Sequence, residues 1–272
     1  MRAALVAETR KVLTTRMWWL LLIVMAAYMA LTSGALAATL SLGAVETGAG
    51  PDAGSEALTI GPEQVVRTAY TVAVSFGYLF PLLVGAMVVT AEFRHKTITP
   101  TLLAEPRRTV LLLAKLGAGA VLGVVYGVVG TLASVGAGAG VLAILGKPTY
   151  LDLGSTWRTI ALSALALTVW GVLGVGFGAT ITNQVAVIVV VLAFTQFVEP
   201  VARFALASTD WGDGIARFLP GAAGEAISGG SFYSVSGLAD LLPWWQGLLV
   251  LLGYTLVLAV VGRVTTLRRD IT

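Results

Sequence analysis

The sequence predicts an all-α membrane protein with six transmembrane helices. Three observations carry that prediction. Hydrophobic residues make up 57% of the chain and charged residues only 11%, with a mean hydropathy of +0.89; an average soluble domain is about 45–50% apolar and about 25% charged. Six separate runs are long and apolar enough to cross a bilayer. The basic residues between those runs gather on one side. Together these features exclude a disordered chain, an ordinary cytosolic enzyme and a nucleic-acid-binding domain. There are no cysteines, hence no disulfide framework and no thiolate metal site. The single histidine, His95, rules out a histidine-built zinc centre and reads as a solvated loop residue. The 272 residues form one transmembrane domain.

Each span needs about 20 mostly apolar residues. The runs fall at 17–42, 68–91, 109–145, 156–180, 185–206 and 244–267. The first ends beyond Ala35-Leu36-Ala37, which resembles a signal-peptidase site, but the apolar stretch continues to Leu42 and reads as a span. The third run would be about 55 Å long as one helix, against a hydrocarbon core of about 30 Å. It is expected to be a tilted helix, weakened or broken at Gly136, Gly138 and Gly140. Gly119, Gly123 and Gly127 in span 3, and Gly174 and Gly178 in span 4, form surfaces for close helix contact.

Orientation follows from Lys and Arg. With both termini cytoplasmic, 12 of the 17 basic residues and 4 of the 14 acids lie inside. The inner side then carries +8 and the outer side −5.

Residues 1–16 read as an interfacial helix at the headgroup layer. Leu5, Val6, Thr9, Val12 and Leu13 are expected on its apolar face, with Glu8, Arg10 and Lys11 on the polar one. Between spans 2 and 3, the loop 92–108 holds a helix of one or two turns, capped by Thr99, opened by Pro100 and ended at Glu105 by Pro106. It presents Leu102 and Leu103 between basic flanks. Two readings of it stay open on residues alone: a knob for a partner protein, or a connector whose leucines dip into the membrane. Glu92 is expected to pair with Arg94 or Lys96.

The outer segment 207–243 is rich in Gly, Ser, Trp and Asp. Pro220 opens a short helix there, through Ile227, ended by Gly229-Gly230. Trp211, Trp244 and Trp245 suit an outer aromatic belt. In span 5, Glu199 lies about 21 Å along the helix and is four residues before Arg203, the favourable order for a helix ion pair. Pro200 kinks that helix. Thr195, Gln196 and Glu199 are the candidate lining of a translocation path.

Glu92-Phe93-Arg94-x-x-Thr97-Ile98, then Leu102-Leu103, then Pro106-Arg107-Arg108 and Lys115, resemble the cytoplasmic loop of ABC-2 type transporter permeases. Glu8-x-Arg10-Lys11 resembles the elbow helix of that family, and Arg217-Phe218-Leu219-Pro220-Gly221-Ala222-Ala223 the segment before its last span. Lys96 stands where small residues or glycine are common in that family. The resemblance implies a bacterial plasma-membrane exporter permease, of the kind that exports drugs, peptide antibiotics, lipids or glycans. It would pair with a second permease copy or a homologous permease and with separate ATP-binding subunits. The 99–105 helix becomes the coupling helix. Glu92, Arg94, Thr97, Thr99, Leu102, Leu103, Arg107 and Arg108 become the residues that serve the ATPase, and ATP with Mg is held by the partner chain. This chain has no ATPase site of its own: Gly146-Lys147-Pro148 lacks the phosphate-loop pattern. An ATP-independent channel or carrier is the alternative from another class. The expected cargo is hydrophobic or amphipathic, and membrane lipid is the surrounding partner.

Overall fold

The computed structural model describes residues 1–46, 61–209, 212–230 and 241–266. Every regular element among these residues is helical. The order is α1 (Arg2–Leu13), α2 (Met17–Glu46), α3 (Pro62–Ser75), α4 (Leu79–Arg94), α5 (Ile98–Ala104), α6 (Arg108–Ile144), α7 (Gly154–Thr180), α8 (Gln184–Ala193), a π-helical turn (Phe194–Val198), α9 (Glu199–Ala207), α10 (Asp213–Ala216), α11 (Pro220–Ser228) and α12 (Trp244–Thr265). Six helical segments are long and apolar enough to cross a membrane: Met17–Leu42, Pro62–Arg94, Arg108–Ile144, Gly154–Thr180, Gln184–Leu206 and Trp244–Thr265. Trp211, and Asp52, Glu56, Asp210, Asp240, Arg268, Arg269 and Asp270 of the charge count, lie outside the described residues.

Helix α7 is the centre of the bundle, packed on α6, α4 and α12, while α2 packs along α6. The glycine stripes set these approaches. A Cβ at Gly123 of α6 would lie 2.6 Å from the Thr168 carbonyl oxygen of α7, and one at Gly174 of α7 would lie 2.0 Å from that of Leu82 in α4. Backbones meet because no side chain stands between them, the packing mode that lipid-solvated helices favour. Met25, Met29, Leu82, Tyr126, Leu167 and Trp170 fill the space around these crossings. Ser33 of α2 closes a polar gap by donating across to the Ser134 or Ala69 carbonyl, at 2.7 and 2.9 Å.

Two proline-bearing spans depart from plain helices. Span 2, expected over 68–91, starts earlier and is two helices, with a turn at residues 76–78. Pro81 is the cause. It has no N–H for the Gly77 carbonyl and its ring collides with that carbonyl in a continuous helix, so it is tolerated only in the first turn of a new one. In span 5 the helix widens into the π turn Phe194–Val198 immediately before Pro200, again where the carbonyl four residues back cannot be served. The kink expected from Pro200 thus takes the form of a π turn.

The glycine run of span 3 does not break the helix. Helix α6 runs unbroken from Arg108 to Ile144, through Gly136, Gly138 and Gly140. A break at membrane depth would strand backbone groups, and nothing like Pro81 forces one. Gly138 instead lets Ser33 and Tyr70 come close.

Candidate functional site

At the end of the bundle that carries α1 and α5, four charged side chains close a ring. Lys115 Nζ lies 2.6 Å from Glu8 Oε2 and 2.7 Å from Glu92 Oε2. Lys11 Nζ lies 2.6 Å from Glu8 Oε1 and 2.6 Å from Glu92 Oε1. Each carboxylate bridges both ammonium groups, so the ring is neutral. Lys115 is 1% exposed and Glu8 3%; such charges persist out of water only when fully paired. Burial pulls the Lys11 ammonium towards its neutral form, but hydrogen bonds to Glu8 and Glu92 outweigh it and raise its pKa above the usual lysine value.

The ring corrects two expectations. Glu8 is on the inward face of α1 beside Leu5, Thr9 and Val12, while Val6 and Leu13 are exposed; the polar face of α1 is therefore not a solvent face throughout. Glu92 pairs with Lys11 and Lys115 rather than with Arg94 or Lys96. Arg94 instead donates to Gln184 Oε1 at 3.2 Å, joining the end of α4 to the start of α8.

Helix α5 hangs from this ring. It starts at Ile98, earlier than the expected 99, with Thr97 rather than Thr99 at the cap position and no side-chain cap bond. Ile98 is buried. Thr101 Oγ1 accepts from Lys11 Nζ at 3.0 Å and lies 3.3 Å from Glu92 Oε1 and 2.9 Å from the Thr97 carbonyl, either of which can take its proton. Glu105, the last cap, has the extended backbone that Pro106 requires. Leu102 is half-buried, Leu103 is 78% exposed, and Thr97, Thr99 and Arg107 face solvent, with Arg108 half-buried. Arg107 donates to Glu105 at 3.0 Å, and that bond holds the Glu105 carboxyl below the usual carboxylate range. Lys96 adopts φ +55° at the turn into α5, a backbone region that favours glycine. Beside the ring, a cavity of about 590 Å³ separates α1 and α2 from α4, with Val12, Trp18, Leu21 and Met87 as apolar walls and Arg94 and His95 among its polar residues.

The second charged cluster is at the opposite end, where α11 is buried against α7, α12 and α3. The helix opens at Pro220, as expected, and ends at Ser228 with Gly229 at φ +72°. Arg203 donates to Glu199 Oε1 through Nη2 at 2.8 Å and Nε at 3.2 Å, and to Glu225 Oε2 through Nη1 at 2.9 Å. The Gly221 N–H of α11 also donates to Glu199 Oε1, at 2.6 Å. Glu199 and Glu225 are each 2% exposed. Thr195 and Gln196 lie in the π turn. Thr195 Oγ1 bonds back to the Val191 carbonyl, and Tyr78, at the break in span 2, donates to the Thr195 carbonyl at 3.3 Å. Thr195, Gln196 and Glu199 line one cavity of about 250 Å³ together with Ser75, Phe76 and Glu225.

Sequence reasoning placed Glu199 with Arg203 but missed Glu225. A lone acid among Gly, Ala and Ile in Pro220–Ser228 was the available signal. Lys115 was noticed only as part of a motif; a lysine seven residues inside an apolar run needs a buried acid, and Glu8 and Glu92 were the nearest unmatched ones at that end. The eight residues read as serving an ATPase divide accordingly, with Glu92 buried in the ring and Leu103 fully presented. No protein-family model matches the chain, and no curated protein matches it.

Proposed function

We propose that this chain is the permease subunit of an ATP-driven ABC-2 type exporter in a bacterial plasma membrane, with both termini cytoplasmic. The observation that carries the reading is the ring of Glu8, Lys11, Glu92 and Lys115. It ties the interfacial helix, the end of span 2, the start of span 3 and, through Thr101, helix α5 into one unit. A push on α5 is then delivered to two spans at once. In this reading α1 is the elbow helix and α5 the coupling helix, with Leu103 seated in a groove of a separate ATP-binding subunit, which holds ATP and Mg. A second permease, identical or homologous, completes the path. The 590 Å³ cavity is within the size range of ligand sites, about 300–1,000 Å³, and its apolar walls with Arg94 and His95 suit a hydrophobic or amphipathic cargo entering from the inner leaflet.

The test has two parts. Pull-down of the tagged protein from its native membrane in mild detergent should bring a stoichiometric ATP-binding subunit. Replacing Leu102 and Leu103 with Asp should release that subunit and stop transport while leaving the melting temperature of the permease unchanged. Full retention of the ATPase and of transport in the doubly substituted protein would refute the role given to α5. A second reading, an ATP-independent carrier, is favoured by one observation: two interrupted helices meet a buried charge cluster, a pattern common in carriers. A reproducible homo-oligomer without any ATPase would put it first.

A further inference from the structure

We infer that the cavity between α1, α2 and α4 is a binding site for an acidic phospholipid, with Arg94 as the contact for its phosphate and the apolar walls as the berth of an acyl chain. The polarity of the wall changes along α4. Val84, Met87, Val88 and Ala91 form its apolar part, and Arg94 and His95 close it at the helix end. From Val84 to Arg94 the helix rises about 15 Å, the depth of one leaflet in a hydrocarbon core of about 30 Å. Trp18 and Leu21 of α2 stand on the other side. Met17, also in the lining, shares a face of α2 with Leu20 and Val24. All three are exposed, which gives an acyl chain an apolar way in. The volume of about 590 Å³ is ligand-sized and far above the roughly 30 Å³ share of one water.

The charges select the head group. Glu8 and Glu92 are the acids of the lining, and each bridges Lys11 and Lys115. Lys11 also donates to Thr101 Oγ1, so its three N–H donors are taken. Arg94 differs. Its guanidinium has five N–H donors. Among the described residues it makes one hydrogen bond, to the neutral Gln184 at 3.2 Å, and has no carboxylate partner. A cation at the headgroup end of a pocket between membrane helices recruits an anionic lipid head, and the arginine fork fits a phosphate with two parallel bonds. A choline or ethanolamine head would bring an ammonium to a wall whose carboxylates are already engaged. A soluble phosphate would leave the apolar walls uncovered. The acidic phospholipid satisfies both ends of the cavity. Its binding needs no ATP-binding partner; its use as cargo rests on the exporter reading.

The experiment is native mass spectrometry of the full chain, with whatever subunits accompany it. The protein is released from dodecylmaltoside micelles doped with phosphatidylglycerol, or with phosphatidylcholine of the same acyl chains. Bound phosphatidylglycerol is expected, with phosphatidylcholine held about tenfold more weakly. Arg94→Gln should weaken the hold on phosphatidylglycerol by about the same tenfold factor. Met87→Trp, which fills the cavity and leaves every charge, should do likewise and carries the test if the charge variant fails to fold. Glycerophosphate added in place of lipid should not be retained. No lipid on the wild-type protein would overturn the inference. Equal retention of the two lipids would overturn it in favour of an apolar crevice that takes any chain, and retention of glycerophosphate in favour of a soluble anion. Unchanged retention in both folded variants would place the lipid elsewhere. An ATPase that co-purifies while lipid binding is absent leaves the exporter reading intact and sinks the site; lipid binding without any ATPase does the reverse.

Discussion

Lys115 shows at the scale of one residue how this protein keeps charge out of water. Its ammonium has two carboxylates and almost no solvent. Removing it leaves Glu8 and Glu92 with only Lys11, so Lys115→Met should cost about 3–5 kcal/mol, read as a loss of thermal stability. Removing Glu8 as well restores neutrality, so Lys115→Met with Glu8→Gln should cost less than the two single changes summed. Additivity would mean that the ring is not one network. The pH dependence follows from Lys11. Its pKa is raised in the fold, so its contribution is fully present below the unfolded lysine value of about 10.4 and is lost only as pH climbs through the higher folded value. Lys96 is the converse case. At φ +55° a side chain costs about 1–2 kcal/mol relative to a relaxed backbone, so Lys96→Gly should leave stability unchanged or raise it; a clear loss would show that the lysine head makes a needed contact. This conformation also explains why glycine suits that place in the loop.

At the scale of elements, glycine decides how closely helices lie and proline decides where they stop. Gly174 meets the Leu82 carbonyl directly, so Gly174→Val must separate α7 from α4 and should cost about 3 kcal/mol, the upper end of overpacking penalties. Gly140 has open space beyond it; Gly140→Ala should be neutral or gain about 0.5–1 kcal/mol from helix propensity. Melting temperatures of the two variants in one detergent check the contrast, and equal effects would contradict the packing. The six spans, the short helix before Pro106 and the helix opened by Pro220 were all legible, because length, hydropathy and proline act locally. The break at Pro81 was legible in principle and was missed, since an apolar run of that length hides a single proline. Span 3 is the single long helix expected, and of the two outcomes left open at its glycines the break does not occur, because three glycines weaken a helix without breaking it.

Over the whole molecule, the two charged clusters stand at opposite ends of the bundle, one a ring that ties α1, α4 and α6 together, the other joining Glu199 and Arg203 to Glu225 of α11 beside a cavity. The orientation proposed above, with α5 inside, rests on the distribution of Lys and Arg. The chain has no native cysteine, so single cysteines report this directly. Ser155→Cys should react with a membrane-impermeant maleimide in intact cells, and Thr99→Cys only after permeabilisation; the opposite pattern would invert the topology.

By itself the sequence determined the class, the number of spans, the Glu199–Arg203 pair and the positions of the short helices. Each depends on neighbours within a few turns of chain. Which acids meet which bases across the bundle was decided by tertiary structure alone: Glu8 and Glu92 with Lys115, and Glu225 with Arg203, are 107, 23 and 22 residues apart. The physical reason is that a buried charge is satisfied by whatever opposite charge the packing brings within about 3 Å; glycine stripes mark where a helix can be approached closely, but not which helix will meet them.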